Sequence, residues 1–77
     1  MTPKEKAEHL YNIFCVFTWD EVEGFIPDNM RTIRNCINVC DEILLVLSDV
    51  DYNETDTTVY NTCLFYNKTI TELKKML

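Results

Sequence analysis

Ile43-Leu44-Leu45-Val46-Leu47 is an unbroken apolar run inside a segment that otherwise repeats with a helical period. At about 3.6 residues per turn, consecutive side chains point around most of a helix's circumference and cannot share one stripe. A helix apolar on nearly every side must be covered from more than one direction. In a chain of 77 residues that cover comes from two other helices, from a second copy of the chain, or from both.

The same segment carries two seams. Met30, Ile33, Ile37, Cys40, Leu44 and Leu47 alternate steps of three and four, the spacing of a helix–helix seam. Cys36, Val39, Ile43, Val46 and Val50 make a second seam beside it, and Arg31, Arg34, Asn35, Asn38, Asp41 and Glu42 form the polar remainder. These spacings predict a central helix over 28–50. Downstream, Val59, Cys63, Tyr66, Ile70, Leu73 and Leu77 predict a helix over 56–76, widened by Tyr60, Leu64 and Phe65. Thr55 or Asp56 would cap its start, and Lys74 and Lys75 suit the dipole at its end. Upstream, Thr2 and Glu5 have capping-box spacing around Pro3, and Ala7, Leu10, Tyr11, Phe14 and Phe17 extend a helix over 3–17.

Gly24 and Pro27 punctuate the segment between the first two helices. Trp19, Val22, Phe25 and Ile26 within it are expected to lie over the end of a helix pair. The periodic segments are too long for strands and lack a two-residue alternation. The expectation is an all-α single domain over 1–77: an antiparallel helical hairpin plus a short N-terminal helix, a three-helix bundle assembled as a homo-oligomer.

Composition supports the oligomer. A chain this short buries only about 60% of its unfolded surface, yet 47% of its residues are hydrophobic, including four Tyr, four Phe and one Trp. The formal charge of −6 disfavours nucleic acid and acidic membranes, whose binding needs clustered Lys and Arg. The chain opens on polar residues without a signal-peptide core, and no apolar run approaches the ~18 residues of a membrane span. A cytoplasmic protein with reduced cysteines is expected, and the sequons at Asn53-Glu54-Thr55 and Asn67-Lys68-Thr69 read as chance matches.

Lys4-Glu5-Lys6-Ala7-Glu8-His9-Leu10-Tyr11-Asn12-Ile13-Phe14 resembles the opening K-E-K-A-x-x-L-x-x-x-F stretch of a group of small helical proteins of Bacteroides-type gut bacteria and their phages. Asp41-Glu42-Ile43-Leu44 is similar to the apolar run of their central helix, and Thr71-Glu72-Leu73-Lys74-Lys75 to their closing helix. The Phe25 region, the acidic connection and the Cys-rich central helix depart from that pattern. The resemblance implies a helical hairpin and a phage or bacterial setting, hence the host cytoplasm for a phage-encoded chain. It implies no activity.

Few residues suggest chemistry. Cys15, Cys36, Cys40 and Cys63 could in principle form a thiolate zinc site, but they lack the tight C-x₂-C knuckles that such sites use, and reduced Cys is a common core residue. Asp49-Val50-Asp51-Tyr52-Asn53 begins like a calcium loop, then places Glu54 where Gly is needed and Tyr60 where the bidentate Glu belongs. His9 is the sole histidine and reads as a surface residue. No phosphate-cradling or oxyanion turn exists, so the chain is expected to be no enzyme and to need no cofactor.

Arg31 and Arg34 open the central helix, where both could grip an anion, with Asn38 and Lys68 as further ligands. The alternative for the arginines is salt bridging to Glu21, Glu23 or Asp28. Three functions remain. The first is a non-enzymatic interaction protein, a dimer held through Cys36, Val39, Ile43, Val46, Val50, Tyr60 and Phe65, which binds or blocks a host protein as an accessory factor in the setting that the resemblance implies. The second is an oligomeric sequestrant of a small phosphorylated, nucleotide-type ligand. The third is an acidic mimic of nucleic acid.

Overall fold

Thr2 begins the first helix as expected. Its hydroxyl accepts the Glu5 N–H at 3.2 Å, and the Glu5 carboxylate accepts the Thr2 N–H at 3.1 Å, so two donors that a helix start leaves orphaned are satisfied reciprocally. The computed structural model describes residues 1–49 and 58–77. In it, helix α1 spans Pro3–Ile13, strands β1 (Phe17–Asp20) and β2 (Gly24–Pro27) follow, and helices α2 (Asn29–Ser48) and α3 (Thr58–Lys75) complete the order.

The all-α expectation is corrected by the two strands. The first helix stops at Ile13, capped by Phe14, and Phe17 belongs to an antiparallel hairpin instead. Its register pairs Phe17 with Pro27, Thr18 with Ile26, Trp19 with Phe25 and Asp20 with Gly24. The β-branched and aromatic run Val16-Phe17-Thr18-Trp19 loses side-chain freedom in a helix and suits a pleated strand. At the turn, the Asp20 carboxylate accepts the N–H groups of Val22 at 2.8 Å and Glu23 at 3.0 Å. Gly24 then takes φ +79°, a conformation that side chains disfavour. Those two N–H bonds hold the Asp20 carboxyl below its ordinary range.

The hairpin is tied to the helices at its base. The Asp28 N–H donates to the Val16 carbonyl at 2.6 Å, and the Val16 N–H donates to the Thr32 hydroxyl at 2.9 Å. That hydroxyl in turn donates to the Asp28 carbonyl at 2.7 Å. Asp28 also caps α2, its side chain accepting the Arg31 N–H at 3.1 Å.

Helices α2 and α3 form the expected antiparallel hairpin, with the Asn29 side-chain amide donating to the Met76 carbonyl at 3.0 Å. The core holds Ala7 and Leu10 of α1, Ile33, Cys36 and Cys40 of α2, and Leu73 of α3. All fully buried residues of α2 fall between Thr32 and Cys40, and those of α3 are Thr69 and Leu73. The reason is length. Eleven residues of α1 reach about 16 Å, whereas twenty residues of α2 reach about 30 Å. Helix α1 therefore covers only the half of the hairpin nearest the β-strands. The other half is two helices deep.

The outline is correspondingly drawn out, 57 × 21 × 16 Å with a radius of gyration of 15.3 Å, against about 11.5 Å for a compact domain of this length. The accessible surface is 5687 Å², where a folded monomer of this mass has about 4,900 Å².

Candidate functional site

The apolar run Ile43–Leu47 sits on the half of the helical pair that α1 does not reach. Its second seam starts inside the core at Cys36 and emerges through half-buried Val39 and Ile43 to Val46, which is 64% exposed. Cys36 is enclosed by its own chain and so offers no surface to a second copy, which corrects its place among the expected interface residues. Val50 lies outside the described residues. On α3, Tyr60 is 59% exposed, and half-buried Phe65 packs edge-on against Tyr66 with ring centroids 5.5 Å apart. Leu45 and Leu64 add exposed apolar surface to the same half of the hairpin. Ile43, Leu45, Val46, Tyr60, Leu64 and Phe65 thus leave half-buried to exposed apolar side chains around the half of the helical pair that α1 does not reach, an apolar ledge.

The expected anion ligands are not gathered. Arg31 is exposed and ion-pairs with Asp28 at 3.6 Å, one of the partners its alternative reading named. Arg34 borders a shallow hollow with Met30, Ile33, Ile37 and Leu77. Lys68 borders a different one, between the start of α1 and the middle of α3, with Thr2, Pro3, Lys4, Thr71 and Glu72. Asn38 is exposed on α2. Arg31, Arg34 and Asn38 thus share α2, while Lys68 stands on α3 beside a different hollow from that of Arg34.

Buried thiols fill the core. Burial pushes the Cys40 thiol up to about 11, reinforced by neighbouring Cys36 and Asp41 and opposed by Lys6. Burial, then the proximity of Cys15, raises Cys36 as well. Both stay protonated near neutral pH, as packing groups rather than nucleophiles. Among the described residues, no three His, Cys, Asp or Glu side chains converge to hold a metal ion. Apart from Asp49, the acidic segment weighed for calcium lies outside the described residues, as do Thr55 and Asp56. No helix among the described residues is long and apolar enough to cross a membrane.

The segment between α1 and α2 differs from its expected place. The aromatic residues of the hairpin do not lie over a helix pair: Trp19 is 66% and Phe25 71% exposed. The signal was there in Phe17-Thr18-Trp19-Asp20, a gap of three residues, and Gly24-Phe25-Ile26-Pro27, which is hairpin spacing.

No family model matches the chain, and neither a curated protein nor a solved structure is detectably similar to it.

Proposed function

We propose that the chain is a non-enzymatic interaction protein that acts as a homodimer and presents its remaining surface to a second protein. The observation that carries the reading is the ledge at Ile43, Leu45, Val46, Tyr60, Leu64 and Phe65, apolar surface placed where α1 is too short to cover it. Several exposed apolar side chains gathered at one end of a small chain favour association. A second copy supplies what a longer first helix would have supplied, and an isologous contact closes the assembly at two. The separation of Arg34 from Lys68 and the pairing of Arg31 with Asp28 speak against a nucleotide sequestrant. The core thiols, protonated and enclosed, offer no reactive group.

Amide hydrogen exchange as a function of protein concentration tests this. Amides of residues 43–47 and 60–65 gain protection as concentration rises from low to high micromolar, while those of 32–36 stay constant. Protection at 43–47 that ignores concentration would refute the dimer.

A further inference from the structure

The hairpin's strand register sends its two faces to opposite environments. Directly opposed residues share a face, so Phe17, Trp19, Phe25 and Pro27 lie together on one side, and all four are exposed. Thr18, Asp20, Gly24 and Ile26 lie on the other and are partly buried. This inverts the usual apolar-in, polar-out order. A one-residue slip would have turned the aromatic residues inward, yet the register is fixed at its base by the Asp28–Val16 and Val16–Thr32 hydrogen bonds. Trp19 and Phe25 meet edge to face, ring centroids 5.1 Å apart at 74°, an arrangement that leaves ring surface available. The face is therefore an aromatic platform held outward.

Its charge selects the occupant. Glu21 and Glu23 stand exposed at the tip, and no Lys or Arg occurs anywhere between Lys6 and Arg31. The ion pairs among the described residues are Arg31–Asp28 and Lys75–Glu72, so the tip acids have no cationic partner there. Anionic lipid and nucleic acid are repelled by such a tip. A guanidinium or ammonium group is attracted twice, by the carboxylates and by the negative faces of the rings. We propose that this hairpin face docks an Arg- or Lys-rich peptide segment of another protein. The surface is distinct from the helical ledge, and the proposal stands whether or not the chain dimerises.

The test is fluorescence anisotropy with a labelled arginine–glycine repeat peptide, alongside its glutamate counterpart. The chain binds the arginine peptide saturably and ignores the glutamate one. Glu21→Gln with Glu23→Gln, two exposed side chains without a hydrogen bond to lose, weakens binding about tenfold, as two surface charge pairs would. Trp19→Leu weakens it about threefold to fivefold, the size of an exposed cation–π contact. Glu8→Gln with Glu42→Gln, the same charge change away from the hairpin, shifts it less than about twofold. Absence of binding overturns the proposal. So does an equal loss in the Glu8 and Glu42 variant, which makes net charge the cause, or an unchanged affinity in Trp19→Leu. A fall in assembly mass in Trp19→Leu assigns the face to a second copy. A shift of Trp19 emission with phosphatidylcholine vesicles, but not with the arginine peptide, assigns it to lipid. Either result replaces the proposed occupant.

Discussion

Thr32→Val removes one oxygen from the junction between hairpin and helices and keeps the side chain's volume. Thr32 is fully buried, its hydroxyl accepting from the Val16 N–H at 2.9 Å and donating to the Asp28 carbonyl at 2.7 Å. The two partners fare differently when the hydroxyl goes. The Asp28 carbonyl retains the Thr32 backbone N–H at 3.0 Å. The Val16 N–H is left with nothing in a partly buried place. An orphaned buried donor costs about 1–3 kcal/mol, and partial access to water puts Val16 in the lower part, about 1–2 kcal/mol. For a domain of this size that lowers Tm by about 4–16 °C. Thr32→Ser keeps the hydroxyl and loses only a methyl, about 1 kcal/mol. Thermal unfolding followed by far-UV circular dichroism gives the stability, and Trp19 emission, the only tryptophan signal in the chain, reports the hairpin. The expectation is that Thr32→Val loosens the hairpin before the helices melt and Thr32→Ser does not. Equal Tm for Thr32→Val and the parent, with unchanged Trp19 emission, would show that this hydroxyl does not hold the hairpin.

Val46→Glu should make the protein monomeric by light scattering without changing its helix content. Burying a side chain that is 64% exposed is worth about 1–2 kcal/mol per copy, and a two-fold interface counts it twice before the charge is considered. Gly24→Ala should weaken the hairpin by about 1–2 kcal/mol through its positive φ alone, since an added Cβ would meet only Trp19, at an ordinary 4.0 Å; unchanged stability in urea contradicts this. The raised Cys40 pKa of about 11 means that the unfolded chain loses this proton first as pH climbs. Its contribution is complete below the ordinary thiol range near 9 and disappears toward pH 11, at no more than about 1.4 kcal/mol per pH unit. Comparing alkaline stability with Cys40→Ala isolates that slope; identical slopes would place the thiol in water. Under native conditions a thiol reagent should modify half-buried Cys15 and Cys63 well before Cys36 and Cys40, and simultaneous modification of all four would contradict the packing.

The helical parts were legible because each signal is local. Thr2 and Glu5 name their own cap, and Ile33, Ile37, Cys40 and Leu44 mark one face by spacing alone. The hairpin was not, for a physical reason: each strand is four residues long, and Phe17, Trp19 and Phe25 face water, so the usual inference from aromatic to interior points the wrong way. The end of α1 was missed with it, since Phe14 and Phe17 continue the helical spacing past the point where the backbone turns extended. The double seam was visible, but which half of it the chain covers depends on the length of α1. That length decided the site as well. Cys36, an expected interface residue, falls under α1, while Val46 on the same seam falls beyond it. The arginine and lysine positions carried no such constraint, because charged side chains on separate helices show no spacing that says whether they meet.

Cover of the ledge by a second copy of the chain, as proposed above, doubles the mass of the particle in solution. Sedimentation equilibrium over a micromolar concentration series measures this without a label or a mutation. The mass should rise to twice the 9.1 kDa of the chain and stop there. A mass that stays at one chain at the highest concentration would leave Val46 and Tyr60 in water and contradict the account.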